Sequence, residues 1–298
     1  MDAKLNADFR RQVFAIETAS GPGEIAAIAF GDSGRPVDVV FVHANGFNAM
    51  TYRSILAPLG DRLHVVAIDQ QGHGRSPQRV PTASRDSWLL FRDDLVAVID
   101  QLGDHPLLLS GHSMGGTASV LASAVRPDRV KGLALFDPVI MAEDMGRRVA
   151  SGEAPAFSDS PLAIGAAKRR SVFASRDEAF SRYRGRGAFT TWPDEALTDY
   201  LADGLRDRPD GEVELSCAPD WEAANFSSHA HDAWAPLHAV RAPTTILRAE
   251  QGSTCSAASA EPFVDANPKF TVETIPGTTH FLPIERPDLV RETILRMA

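Results

Sequence analysis

The chain has 298 residues, 44% of them hydrophobic and 23% charged, with 22 Gly and 20 Pro; this balance belongs to soluble globular proteins and excludes disordered and fibrous ones. At roughly 100 to 200 residues per domain, the length suits one large domain or a core with an inserted subdomain. The formal net charge of -9 excludes a general affinity for nucleic acid, which needs a basic surface to displace counterions from phosphates.

Residues 1–12 are polar, with no apolar run after a basic start, and no stretch approaches the ~18 apolar residues of a membrane span. The expectation is a cytoplasmic protein with no membrane partner. Two apolar runs, Val13-Phe14-Ala15-Ile16 and 25–30, flank Gly21-Pro22-Gly23 and predict an opening β-hairpin. Residues 37–42 form a continuous β-branched run that fits a strand buried on both faces. A helix is predicted over about 50–59 and a second buried strand over 64–69. The spacing of Trp88, Phe91, Leu95, Ile99 and Leu102 predicts a helix over 85–102. Strands follow at 106–110 and 130–136, with a small-residue helix at 114–125 between them. Strand alternating with helix implies right-handed crossovers and a parallel sheet between helix layers.

The rhythm breaks over 139–235, where helix-like segments occur without a strong buried-strand run, so this stretch reads as an insertion. It returns with strands at 244–248 and 270–275, a helix near 256–264 and a final helix over 286–297. The predicted organisation is a core of residues 1–138 and 236–298 interrupted by a mainly helical cap, 139–235. Within the cap, Lys168, Arg169, Arg170, Arg176, Arg182, Arg184 and Arg186 interleave with apolar residues and read as a solvated helix face. Two cysteines, Cys217 and Cys255, supply neither a disulfide framework nor metal-ligand spacing.

Gly111-His112-Ser113-Met114-Gly115-Gly116 lies between an apolar strand and a helix-like stretch, the strand-turn-helix context that G-x-S-x-G requires. A serine on so sharp a turn needs small neighbours, because Cβ atoms at Gly111 and Gly115 would collide with the adjoining strand and helix. The turn pushes Oγ outward and leaves the Met114 N–H free at a helix N-terminus, where an oxyanion is favoured.

In these residues, and over nearly the whole chain except the insertion, the sequence resembles the α/β-hydrolase superfamily. That resemblance implies a mostly parallel eight-stranded sheet flanked by helices, an inserted cap, a Ser113 nucleophile and no metal or organic cofactor. His43-Ala44-Asn45-Gly46-Phe47 is similar to the family's HG-x loop, with Ala44 where the glycine usually stands, and implies that the Asn45 N–H joins the Met114 N–H in an oxyanion hole. Asp69-Gln70-Gln71-Gly72-His73-Gly74-Arg75-Ser76 is similar to the family's D-x-x-G-H-G-x-S turn and implies structural support. His280, in Gly277-Thr278-Thr279-His280-Phe281, stands where the family places its base.

The acid is open between two residues. The loop after strand 244–248 reads Ala249-Glu250-Gln251-Gly252-Ser253-Thr254-Cys255, without the family's usual aspartate. Asp137, at the end of the preceding strand, and Glu250 both keep the order nucleophile, acid, histidine. Asp137 is preferred, since a short carboxylate at a strand end orients a ring with little flexibility.

The implied activity is hydrolysis of a carboxylic ester or related acyl bond in a small-molecule substrate. Lactone, thioester, amide and carbon-carbon bond hydrolysis share the oxyanion chemistry and stay open, as does a slowly hydrolysing ligand receptor, since a fold does not fix function. A serine in place of an aspartate nucleophile argues against halide and epoxide chemistry. His229-Ala230-His231-Asp232 has the makings of a metal site, but no second cluster completes a coordination sphere, and a structural role is preferred. Substrate-binding residues are not readable: Phe47, Phe157, Phe173, Phe189, Trp192, Trp221, Phe226 and Trp234 suit either an apolar pocket or the cap's own core.

Overall fold

The computed structural model describes residues 9–84, 86–153, 160–256, 259–260, 264 and 268–298. Its centre is an eight-stranded sheet in the order β1-β2-β4-β3-β5-β6-β10-β11. The strands are β1 Arg10–Thr18, β2 Gly21–Phe30, β3 Val39–Val42, β4 Val65–Ile68, β5 Leu107–His112, β6 Val130–Phe136, β10 Thr244–Gln251 and β11 Phe270–Thr279. β1 and β2 join antiparallel, and β2 meets β4 antiparallel. Every pairing from β4 onward is parallel. This is the mostly parallel sheet that the sequence predicts.

The parallel strands read as unbroken apolar runs because both faces of the sheet are covered. Val39 and Phe41 of β3 pack on one side with Tyr52, Leu56 and Ile294, whereas Val40 and Val42 pack on the other with Leu95, Ile99 and Val120. The helices Leu89–Ile99 and Met114–Val125 thus cover one face, and Pro287–Met297 covers the opposite one. Among the described residues, no helix is long and apolar enough to cross a membrane.

Two local expectations are corrected. The first hairpin reverses at Ala19-Ser20, with Thr18 paired to Gly21, and the glycines lie inside β2. They serve another contact there: Arg79 donates to the Gly21 carbonyl at 2.8 Å, and its side chain occupies the space of a Cβ on Gly23. The helix expected over 50–59 is broken into a 3-10 turn Ala49–Tyr52, one α-turn Arg53–Leu56 and a second 3-10 turn Ala57–Asp61. Most of the helix expected near 256–264 lies outside the described residues.

The segment 139–235 carries the helices Glu143–Ala150, Pro161–Ala167, Arg176–Tyr183, Asp194–Gly204 and Pro219–Ser227. It also contains a small antiparallel sheet, β7 Val172–Phe173, β9 Val213–Leu215 and β8 Leu205–Asp207, in the order β7-β9-β8. Strands of two or three residues are too short to leave a period in the sequence. The basic stretch is mostly exposed and ion-paired, as in Arg170–Glu178 and Arg184–Asp194. Arg169 departs from that picture: it is half-buried against Glu222 and the hydroxyls of Tyr200 and Tyr183.

The packing of the turn at 111–116 is tight enough to test. A Cβ on Gly115 would lie 2.2 Å from the Val42 carbonyl oxygen, whereas Gly103 (φ 76°) has no atom within 4 Å of that position. Gly115→Ala is expected to destabilise the protein by about 2 to 3 kcal/mol through overpacking, and Gly103→Ala by about 1 kcal/mol through left-handed strain alone. Urea unfolding of both variants checks this; equal losses would remove the close-approach argument.

Candidate active site

Ser113 follows β5 directly and opens the helix Met114–Val125. Its backbone stands at φ 55°, ψ −123°, a strained conformation for a residue with a Cβ. Gly111 and Gly115 make the turn possible, since a Cβ on Gly111 would lie 2.6 Å from the Gly115 carbonyl. Among the described residues, the only other non-glycine residue with positive φ is Asp137, at 44°. The two strained side chains meet the same histidine.

Ser113 Oγ lies 3.0 Å from His280 Nε2, and His280 Nδ1 lies 2.6 Å from Asp137 Oδ2. Because an ionised carboxylate only accepts, Nδ1 carries the proton and Nε2 is free to accept from the Ser113 hydroxyl. Asp137 is fully buried. Its Oδ1 accepts from the Ala249 N–H at 2.9 Å and the Ser253 hydroxyl at 2.5 Å, and its Oδ2 accepts from the Thr254 N–H at 3.0 Å. Burial works to raise its pKa, but the hydrogen bond and charge of His280, with the Ser253 and Ala249 donors, outweigh it and hold the carboxyl below its ordinary range. Glu250 is exposed and accepts from the Gly277 N–H at 2.9 Å; none of its hydrogen bonds among the described residues reaches His280.

The two expected oxyanion donors follow the ends of β3 and β5. The Ala44 N–H is taken, donating to the Tyr52 hydroxyl at 3.3 Å. The N–H groups of Asn45 and Met114 have no acceptor among the described residues. The Asn45 side chain is clamped: its Nδ2 donates to the Glu222 carbonyl at 3.0 Å, and its Oδ1 accepts from Asn225 Nδ2 at 2.8 Å. Both partners belong to the helix Pro219–Ser227.

Sequence reasoning missed a second connection. His112 Nε2 lies 2.7 Å from the His280 carbonyl, and its Nδ1 lies 2.7 Å from the Tyr52 hydroxyl. Since the carbonyl can only accept, the ring donates from Nε2 and accepts at Nδ1 from Tyr52. A chain of hydrogen bonds thus joins Ala44, Tyr52, His112 and His280. Motif spacing gives no hint of it, because Tyr52 reaches His112 from a broken helix. Asn225, Ser253 and Thr254 were missed for the same reason.

His43, His229 and His231 are each held in place by near neighbours. His43 Nδ1 lies 2.7 Å from the Ala44 carbonyl and its Nε2 accepts from the Gln70 N–H. His229 and His231 flank the Trp88 ring, with centroids 4.8 and 5.0 Å away. Among the described residues, no group of three or more His, Cys, Asp or Glu is placed to hold a metal ion. Of the aromatic residues singled out in the sequence, Phe47, Phe189 and Trp192 pack together with Tyr200 and Phe281 beside the site. Phe173 and Trp221 are buried further off against Tyr183 and Phe91. Trp234 lies over His238, Phe226 is half-buried, and Phe157 falls outside the described residues.

With this geometry in place, comparison with known proteins assigns the chain. The model of the alpha/beta hydrolase family matches residues 39–293. The chain belongs to that family. Among its alpha/beta hydrolase relatives, 2-(acetamidomethylene)succinate hydrolase of Mesorhizobium japonicum is 24% identical over 261 residues, 86% of each chain. Lipase LipV of Mycobacterium tuberculosis is 33% identical over 122 residues, 40% of this chain and 43% of LipV, so this chain spans less than half of LipV in that alignment. A crystal structure of E-2-(acetamidomethylene)succinate hydrolase superposes with a TM-score of 0.74 at 22% identity, covering 97% of this chain and 99% of that one.

The buried rings set an acid limit on this alpha/beta hydrolase. Burial lowers His43 to about 4, His112 to about 3, His229 to about 4 and His231 to about 3. These depressed values mean that below about pH 6.5 the unfolded chain takes up protons that the folded one refuses, so stability falls with pH. Burial raises Asp69 to about 7 and Asp199 to about 6, and raises Asp94 as well, which opposes the trend in part. Between pH 6 and 4 the stability is expected to fall as the pH is lowered, and His231→Gln should make that fall shallower. Urea midpoints across this range check it, and a flat profile would contradict it.

Proposed function

We propose that this alpha/beta hydrolase is a serine hydrolase that cleaves a carboxylic ester or related acyl bond of a small molecule. The observation that carries the proposal is the hydrogen-bonded line from Ser113 Oγ through His280 to the buried Asp137, at 3.0 and 2.6 Å. In this reading His280 Nε2 takes the Ser113 proton as Oγ bonds to the acyl carbon. The carbonyl oxygen becomes an oxyanion and accepts from the Asn45 and Met114 N–H groups. Collapse expels the alcohol, which takes the proton back from His280. Water then attacks the acyl-enzyme with His280 as base, releasing the acid and restoring Ser113. Asp137 holds the Nδ1–H tautomer and offsets the charge of the imidazolium.

A carboxylic ester is the favoured bond, because serine attack suits it and LipV is by name a lipase. We assign residues 139–235 as a cap over the core. Ser113 is only 6% exposed, and the helix Pro219–Ser227 reaches the Asn45 side chain; both support that assignment.

Hydrolysis of short- to medium-chain p-nitrophenyl esters tests the reading, with circular dichroism as the check on folding. Ser113→Ala is expected to lower kcat by about 10^4-fold or more, Asp137→Asn by about 10^3 to 10^4-fold, and Glu250→Gln by less than about twofold, since an exposed side chain away from His280 has little leverage. A folded wild type inert on every ester would favour the receptor reading, and a crippled Glu250→Gln would reverse the choice of acid. Asn225→Ala should lower kcat by roughly tenfold with little change in KM, as expected when an oxyanion donor is left unsupported. An unchanged kcat would show that the clamp on Asn45 is idle.

A further inference from the structure

The chain has four tryptophans, and three of them donate their indole N–H to a backbone carbonyl. Trp88 donates to Asn225 at 3.0 Å, Trp221 to Gln71 at 3.2 Å and Trp234 to Met141 at 3.1 Å. Trp192 is also buried, 7% exposed, yet its Nε1 has no acceptor among the described residues. A buried indole N–H almost always finds a partner, and an orphan calls for an explanation.

Its position supplies one. The Trp192 ring packs against Phe47 at 5.2 Å and Phe281 at 6.0 Å between centroids. Phe47 lies just beyond Asn45 in the chain, and Phe281 directly follows His280. The preceding residue, Thr191, donates to Glu285 Oε1 at 2.8 Å, and the same carboxylate accepts from the Thr279 N–H at 2.7 Å. The loop bearing the indole is therefore fastened to the loop bearing His280. Ser113 is only 6% exposed, and the indole is packed on Phe47 and Phe281, residues two and one along the chain from Asn45 and His280.

We infer that the Trp192 N–H is a substrate-recognition donor, and that the substrate carries an uncharged acceptor oxygen, a ketone or ether, some atoms from its scissile carbonyl. This inference rests on Ser113 being the nucleophile. The acceptor is uncharged because the surroundings are aromatic rings, Phe47, Phe189, Tyr200 and Phe281. Arg169, which donates to the Tyr200 hydroxyl, is already paired with Glu222. A carboxylate seated here would lie among rings, with the neighbouring Arg169 already paired to Glu222.

The test is a p-nitrophenyl ester series with a ketone at carbon 4, 5 or 6 of the acyl chain, each paired with its methyl-branched hydrocarbon isostere. For at least one position, the ratio of kcat/KM for keto ester over isostere should be roughly threefold to tenfold higher in wild type than in Trp192→Phe, the worth of one neutral hydrogen bond. The ratio is taken within one preparation, so a partly misfolded variant does not distort it. If the N–H merely faces a neighbouring ring, the substitution changes both esters alike and the inference fails. A second readout needs no turnover: in Ser113→Ala, a keto ester should move one indole N–H resonance downfield where its isostere does not. Wild type inert on all the esters would sink the serine-hydrolase reading, and this resonance would then decide the inference, a shift supporting it and no shift overturning it.

Discussion

The carbonyl oxygens of Val42 and His43 stand 2.2 and 2.5 Å from where a Cβ on Gly115 would be, and this close approach governs the site. It brings the start of the helix Met114–Val125 against the chain leaving β3, so the Met114 N–H and the Asn45 N–H come from two segments pressed together. In the proposed reading these two groups bind the oxyanion, and a hole built from backbone needs no side chain to order itself at the moment of reaction. The strain at Ser113 is the counterpart of the same contact: with the helix held that close, only a sharp turn carries the chain from β5 into it. Buried parallel strands on either side of β5 make that strain affordable, because the sheet over-determines where the turn must be.

The acid is held by an equally specific environment. A buried carboxylate is costly unless each lone pair is satisfied, and Asp137 meets that demand from the loop after β10. Ala249, Ser253 and Thr254 point their donors at it. In the resemblance, that loop is the usual place of the aspartate; here it cradles Asp137, the acid of the proposed reading, one strand earlier. The departure of the loop from the family pattern and the placement of Asp137 are thus two sides of one arrangement.

This shows why some of the site was legible in the sequence and some was not. Ser113 and His280 are marked by neighbours whose sizes are dictated locally: glycines flank the serine, and a strand-to-helix loop surrounds the histidine. The parallel strands were legible because burial on both faces leaves uninterrupted apolar runs. The sequence favours Asp137 over Glu250 only on the shortness of its side chain at a strand end, since the choice depends on which carboxylate the Ser253-Thr254 loop faces in space. Tyr52, His112 and Asn225 act through contacts between elements distant in the chain, and such contacts leave no period or spacing. The small sheet of β7, β8 and β9 escaped because its strands are shorter than any pattern that could announce them.

The contacts that the segment 139–235 makes with the core differ in kind, and the difference bears on how substrate enters. The helix Pro219–Ser227 is tied to Asn45 by buried hydrogen bonds, and the Glu222 carboxylate lies 2.5 Å from the position of a Cβ on Gly46. Lifting that helix would strip buried donors and acceptors of their partners and would release the loop bearing Asn45 along with it. Thr191, by contrast, holds Glu285 through an exposed hydrogen bond, whose loss water can make good. Opening at the Thr191-Trp192 loop would break that exposed hydrogen bond but would also uncover the buried Trp192 ring, which is packed on Phe47 and Phe281. Its cost is one of apolar exposure, whereas opening at the Asn225 helix costs buried hydrogen bonds.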